Sequence, residues 1–258
     1  MSTPARQYDA TVLRRERLSA HLVRLVLGGP GLAAFASTGV PDEWVGLVVP
    51  GQFQSRYYTV RSWRGGELVV DVVVHDDGLV TEWATSDIVG DTVLVSAPKG
   101  SFAMPPDAWW LYLVGDLTGL PAMARILETL PALPARVWAE VTDEPDGYLP
   151  VRDGVDVTWL TPPAPGESGL AAVVESIVWP DGPGYFWMAG ESGQMRAIRK
   201  HLMRERRGSA YDVMGYWRGG APRQPRAVDP GPIWRAGKAA GQSDEQIWAA
   251  YDAARESR

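Results

Sequence analysis

The pattern of the chain changes near residue 107, and that change limits the fold more than any single motif does. Before it, short β-branched and aromatic runs at 8–18, 21–27, 44–49, 56–63, 67–75 and 92–97 are cut by glycine. Such spacing predicts six or so antiparallel strands, which remove their open edges by closing into a barrel. The runs 56–63 and 67–75 face each other across Arg64-Gly65-Gly66, a hairpin signal. After Met104-Pro105-Pro106 the grammar is different. Apolar strands at 109–114, 136–141, 155–160, 185–189 and 211–216 alternate with helical stretches at 118–130, 169–178 and 192–206. Strand–helix alternation predicts a parallel sheet of nucleotide-binding type. The expected fold is an N-terminal antiparallel Greek-key-type β-barrel at 1–105, then an α/β parallel-sheet domain at 106–220. A tail at 221–258 follows, read as an irregular Gly/Pro/Arg-rich loop to Gln242 and then a helix. Ser243 and Gln246 form a capping box for that helix, which carries Ile247, Trp248 and Tyr251 on one face to dock on the body or on a partner.

Composition removes several kinds of chemistry. The 258 residues contain no cysteine, so disulfides, cysteine nucleophiles and Cys-ligated zinc or iron–sulfur centres are excluded. The three histidines, His21, His75 and His201, lie far apart, and a protein-bound transition metal is not expected. With 25 basic against 31 acidic residues the net charge is −6, which gives no field for nucleic acid or an anionic membrane. Neither a signal-peptide pattern nor an apolar run of about 20 residues is present. A cytoplasmic protein is expected.

The run Arg56-Tyr57-Tyr58-Thr59-Val60-Arg61 carries the first functional signal. On a strand, side chains 56, 58 and 60 face one way and 57, 59 and 61 the other. Each face then holds one arginine beside a tyrosine. Arginine grips phosphate through a bidentate fork, and tyrosine stacks on planar rings. The threonine hydroxyl can bond a ring heteroatom. The combination suits a phosphate-bearing planar cofactor such as a flavin nucleotide; an ordinary amphipathic strand with exposed arginines is the competing reading. A second candidate is Gly78-Leu79-Val80-Thr81, where a glycine opens a helix whose backbone amides can cradle a pyrophosphate.

The Arg-x-Tyr-Thr-x-Arg run resembles the flavin signature of the siderophore-interacting protein family, within the ferredoxin–NADP reductase superfamily. The stretch from Asp71 through Val73 and His75 to Gly78, Val80 and Thr81, and the run Gly215-Tyr216-Trp217-Arg218, resemble that family in order and distance. The resemblance implies an FAD-dependent reductase that takes electrons from NAD(P)H and passes them to ferric iron in a siderophore or another chelate. It places FAD on Arg56, Tyr57, Tyr58, Thr59, Asp71, Val73, His75, Gly78, Val80 and Thr81. It places the chelate beside Arg125, Trp217 and Arg218. Three departures stand out: Leu-Val replaces Pro-Ala after Gly78, Asp76 replaces a glycine, and Gly46 replaces a lysine that the family often uses beside the flavin. Ala97 to Phe102 resembles a segment that closes the barrel.

Ligands of open α/β sheets bind at the carboxyl ends of the strands. Gly115, Asp116 and Thr118 form the loop after the first such strand, and Gly190 and Glu191 repeat the pattern at a later one. Arg196 and Arg199 follow within about one helical turn, offering a seat for a 2′-phosphate. Two other functions stay open at this point. One is a general NAD(P)H–flavin or NAD(P)H–acceptor reductase, or an electron-transfer partner in biosynthesis, with ferredoxin as an alternative donor. The other is a flavin-bearing siderophore-binding protein that is not an enzyme.

Overall fold

A computed structural model describes residues 6–52, 55–74, 78–164, 167–205, 210–218 and 230–256. Six strands build a closed antiparallel barrel: β1 (Gln7–Ser19), β2 (Leu22–Gly28), β3 (Trp44–Val48), β4 (Arg56–Arg64), β5 (Glu67–Val73) and β6 (Thr92–Ser96). Their order is β1-β2-β5-β4-β3-β6, closed by pairing of β1 with β6. The β4–β5 hairpin turns at Gly65 and Gly66, whose φ values of +59° and +81° are those a tight hairpin turn requires and side chains resist. Alternate residues such as Val23, Leu25, Val60, Val70 and Val72 fill the barrel. A short helix, α1 (Leu79–Thr85), lies between β5 and β6.

Five parallel strands follow: β7 (Leu111–Asp116), β8 (Ala135–Glu140), β9 (Val155–Leu160), β10 (Tyr185–Glu191) and β11 (Ala210–Trp217). Their order is β11-β10-β7-β8-β9, with α2 (Leu120–Thr129), α3 (Leu170–Ser176) and α4 (Ser192–Glu205) as crossovers. The chain runs outward from β7 to β9 and returns to the other side of β7, so the strand order reverses between β7 and β10. That crevice is where doubly wound sheets hold their ligands. Trp109 stays outside β7, 65% exposed, its ring lying on Gly182.

The tail departs from expectation. A helix, α5 (Pro230–Ala239), occupies part of the stretch read as a loop, and α6 (Asp244–Glu256) follows it. Glycine and proline misled the composition argument because each has a positional use here. Proline is tolerated at the first helical position, where Pro230 stands. Gly237 lets Ile247 of α6 approach closely, since a Cβ there would lie 2.4 Å from Ile247 Cγ1. Gly241, at φ +70°, ends α5: its N–H and that of Gln242 donate back to Lys238 O and Gly237 O. The capping box forms as read, Ser243 N–H to Gln246 Oε1 and Gln246 N–H to Ser243 Oγ. Ile247 is buried and Tyr251 half-buried, while the side chain of Trp248 lies outside the described residues.

Barrel and sheet meet through buried polar groups. Asp42 accepts from the N–H groups of Ser101 and Phe102 and from Trp187 Nε1 on β10. Ser101 Oγ lies 2.9 Å from Asp42 Oδ2 and 2.5 Å from Asp212 Oδ2 on β11. One hydroxyl proton can serve only one of the two carboxylates at a time. Burial raises the Asp212 pKa, and nearby Asp42 adds to this against the lowering by Ser101 and Arg199. Asp212 is therefore the carboxyl of this pair that is shifted toward the neutral form. A carboxyl whose folded pKa is raised stabilises most below its unfolded value of about 3.9 and loses that contribution as pH climbs through the raised value. The melting temperature of the wild type minus that of Asp212→Asn is expected to fall as pH rises through this window. A pH-independent difference would count against a raised Asp212 pKa.

Candidate functional site

β4 presents its two ends differently. Arg56 is exposed and Tyr57 is 69% exposed. Tyr57 pairs in register with Gly46 on β3, where no side chain crowds it. Gly46 itself sits tightly: a Cβ would lie 3.0 Å from Ser55 Cβ and 3.3 Å from Ser96 Oγ, and its N–H donates to Ser96 Oγ. The Tyr58 ring packs against the barrel core with part of its surface open, and burial raises its hydroxyl pKa despite nearby Arg56. Thr59 is buried beneath Tyr216 of β11, so the expected threonine lies at the seam between barrel and sheet.

Beside this strand, Gly78 opens α1 at φ +147° with no side-chain cap. The first N–H groups of a helix have no partner inside it, and here they follow an exposed glycine that covers nothing. Thr81 Oγ1 lies near the Gly78 position. His75 and Asp76 lie outside the described residues.

The crevice between β7 and β10 assembles a second group. Asp116 accepts from Thr118 N–H and Oγ1 and from Trp217 Nε1, at 2.8, 2.5 and 2.6 Å. Burial raises the Asp116 pKa, opposed by those hydrogen bonds. Gly190 packs against it, since a Cβ there would lie 2.8 Å from Asp116 Oδ2. Gly115 lies beside Ala189 in the β7–β10 register. Ser192 Oγ donates to the Trp217 carbonyl and fixes the end of β11. Thus Gly115, Asp116, Thr118, Gly190 and Trp217, far apart in sequence, share one edge. Arg218 follows Trp217 and is exposed.

Other expectations need correction. Asp71 and Val73 lie on the outer face of β5, opposite the core residues Val70 and Val72, and both are covered by the α/β half. Asp71 takes the Arg24 fork at 2.8 Å twice and the Tyr148 hydroxyl, and Val73 packs against the sheet's core. The Val80 side chain belongs to the barrel core, which leaves its backbone for a ligand. Arg125 was read as lining a cleft, but it is buried: Nη2 donates to Glu43 Oε1 at 2.7 Å and Nη1 to Val60 O at 2.6 Å. Burial works to raise the Glu43 pKa, and hydrogen bonds from Ser37, Thr38 and Arg125 outweigh it and hold the pKa low. Arg125 is therefore neutralised between α2 and β4. Glu191 turns back to cap α4, accepting from Gly193 and Gln194 N–H. Arg199 donates to Val213 O, which engages part of its guanidinium on β11, while Arg196 is exposed.

The residues that sequence reading missed are Tyr216, Glu43, Glu128 and Tyr148. Each has a partner across the seam. Tyr216 alone carried a signal, as half of an aromatic pair beside Gly215. Its hydroxyl is enclosed, lies by Thr59 and has no well-aligned hydrogen-bond partner. The polar edge of a flavin ring reaching the seam would meet that hydroxyl, so the residues present fit this cofactor.

Comparison with known proteins gives a consistent picture. Residues 51–102 match the profile described as "Siderophore-interacting FAD-binding domain", and residues 108–220 match "Siderophore-interacting protein". The NADPH-dependent ferric-chelate reductase of Escherichia coli strain K12 is 31% identical over 240 residues, covering 81% of this chain and 92% of the relative. The ferric vibriobactin reductase of Vibrio cholerae is 31% identical over 175 residues, 64% of this chain and 65% of that one. A solved siderophore utilization protein from T. fusca superposes with a TM-score of 0.74 at 29% identity, covering 86% of this chain and 96% of the other.

Proposed function

The chain belongs to the siderophore-interacting protein family, and from that premise we infer that it is an FAD-dependent ferric-siderophore reductase supplied by NAD(P)H. When bound, FAD accepts the two electrons of a hydride from NAD(P)H and passes them singly to two Fe(III), leaving NAD(P)⁺, a proton and two Fe(II). The observation that carries the reading is the open end of β4: Arg56 and Tyr57 are exposed there, and the helix that follows the neighbouring strand β5 starts at a bare glycine.

The protein's own share of the work is binding, orientation and exclusion of water. Arg56 and the first amides of α1 hold phosphate. Tyr57 and the open part of Tyr58, on opposite faces of β4, are the rings on which the flavin would stack, and Thr59 with Tyr216 would meet its polar edge. Gly115, Asp116, Thr118 and Gly190 form the floor for the nicotinamide nucleotide, and the closed network around Asp116 keeps Trp217 at that floor. Trp217 and Arg218 receive the chelate. Residues 1–105 serve as the FAD unit, 106–220 as the nucleotide unit, and the remainder as an appended helical tail. Among the described residues no helix is long and apolar enough to cross a membrane. Use of a nicotinamide donor is consistent with a cytoplasmic site of action.

The test is direct. Purified protein is expected to be yellow and to release FAD, not FMN, on denaturation, because the Gly78–Thr81 segment offers a pyrophosphate seat that FMN leaves unused. Anaerobic NADPH or NADH should bleach it, and a ferric chelate should restore the colour. FMN as the sole released flavin would sink the cofactor assignment. Bleaching without reoxidation by any ferric chelate would sink the acceptor.

A further inference from the structure

A four-charge cluster wraps one phenol at the seam. Arg24 on β2 forks onto Asp71 on β5, both bonds at 2.8 Å. Arg61, two residues after Thr59 on β4, forks onto Glu128 of α2 at 2.6 and 2.5 Å. Arg61 Nε also stands 4.0 Å from Asp71 Oδ2. Tyr148 enters from the β8–β9 loop, donates its hydroxyl to Asp71, and places its ring 6.0 and 5.6 Å from the Arg24 and Arg61 guanidinium carbons. The turn that delivers it is tight: Gly147 has φ +63°, and Tyr148 N–H bonds Pro145 O.

Two cations and two anions cancel, and the cluster grades from the buried Asp71 carboxylate to the 41% exposed Glu128 side chain. Its geometry has a directional consequence. Arg24, Asp71 and Arg61 belong to the barrel, and Glu128 and Tyr148 to the α/β half. Two hydrogen-bonded links of this cluster cross the seam, Arg61–Glu128 and Asp71–Tyr148, with Arg125–Glu43 on the same helix and His21–Asp143 on the same loop beside them. One holds α2, the helix that springs from the Gly115–Thr118 loop. The other holds the β8–β9 loop. Two separated struts fix an angle as well as a distance, which a single ion pair cannot do. Asp71 accepts three hydrogen bonds and is buried, so its side chain is engaged at the seam.

We propose that Tyr148 is a positioning residue for the reductive half-reaction: its hydroxyl bond to Asp71 sets the angle at which the nucleotide-binding edge of the sheet meets the β4 rim of the barrel. This rests on the reading of β4 and the β7–β10 crevice as the flavin and nicotinamide surfaces. A displacement of about 1 Å between reacting groups can reduce a rate on the order of a hundredfold. The oxidative half-reaction also spans the seam, since Trp217 lies on β11, but single-electron transfer to a chelate tolerates a changed angle better than hydride transfer, which requires the reacting atoms in contact.

The test has two arms. Tyr148→Phe keeps the ring over both guanidinium groups and removes only the hydroxyl. In the first arm, cysteines introduced at exposed Arg64 and Val151 into this cysteine-free chain carry spin labels. The interspin distance distribution of Tyr148→Phe is expected to broaden, with or without flavin bound. In the second arm, the flavin-loaded variant should be reduced by NADPH or NADH roughly ten- to a hundredfold more slowly. Its flavin content should be retained, and its reoxidation by ferric citrate after dithionite reduction should slow far less than its reduction. Glu128→Gln, at the more exposed strut, should repeat both effects more weakly, and the double variant should exceed the sum of the two. Unchanged distances together with an unchanged reductive rate would overturn the proposal. Equal slowing of both half-reactions with loss of flavin would overturn it as well, making Tyr148 a support for flavin binding. If the wild type itself accepts no electrons from either nicotinamide, the donor reading fails, and an unbroadened distance distribution in Tyr148→Phe would still count separately against the strut.

Discussion

Glu43→Ala is expected to lower the midpoint of thermal unfolding by on the order of 10 °C. The Glu43 side chain is fully buried, and it is the acid that neutralises Arg125. Removing it leaves a guanidinium enclosed between α2 and β4 with the Val60 carbonyl as its remaining partner, and it strips the acceptor from Ser37 and Thr38. Breaking one side of a buried ion pair costs about 3–5 kcal/mol. In a protein of this size each kcal/mol moves the midpoint by about 2–4 °C. Replacing both members by apolar residues, Glu43→Leu with Arg125→Met, should recover much of the loss, since a packed apolar pair avoids the buried charge. A loss for Glu43→Ala within the roughly 0.5 kcal/mol typical of surface changes would show that the pair is solvated in solution. The same pair decides how Arg125→Ala should behave. As a brace it should slow reoxidation equally for anionic, neutral and cationic ferric chelates. Selective slowing for anionic chelates would restore the role in chelate binding that the resemblance implied.

Arg56→Ala should lose most bound FAD while the barrel survives. Arg56 is exposed at the rim of β4, and its backbone pairs with Leu47 whatever its side chain. A hydrogen bond to a charged group contributes about 1.5–3 kcal/mol. That corresponds to about ten- to a hundredfold in affinity. Flavin titration of the apoprotein, followed by quenching of flavin fluorescence, measures the change, and circular dichroism checks the fold. Undiminished affinity would make Arg56 a bystander and move the phosphate seat to the α1 amides alone.

Much of the architecture was legible without coordinates. Alternation with glycine turns dictated the six barrel strands, and strand–helix alternation dictated the parallel sheet, because both patterns follow from which faces must leave water. The β9 strand and the capping box at Ser243 came out as read. Local chemistry also marked the Arg56–Thr59 run and the glycine-opened helix at Gly78. The errors have a common cause. Asp71, Val73 and Arg125 looked like ligand-binding residues because their types suit that chemistry, and yet each is engaged at the seam. Glu191 and Arg199 likewise found partners on their own helix start and on β11. What the sequence by itself determined was the period of each segment and therefore its layer. Which charged side chains stay available to a ligand was decided only when barrel and sheet came together. A carboxylate and a guanidinium attract across any seam that excludes water, and their separation in sequence places no limit on that encounter.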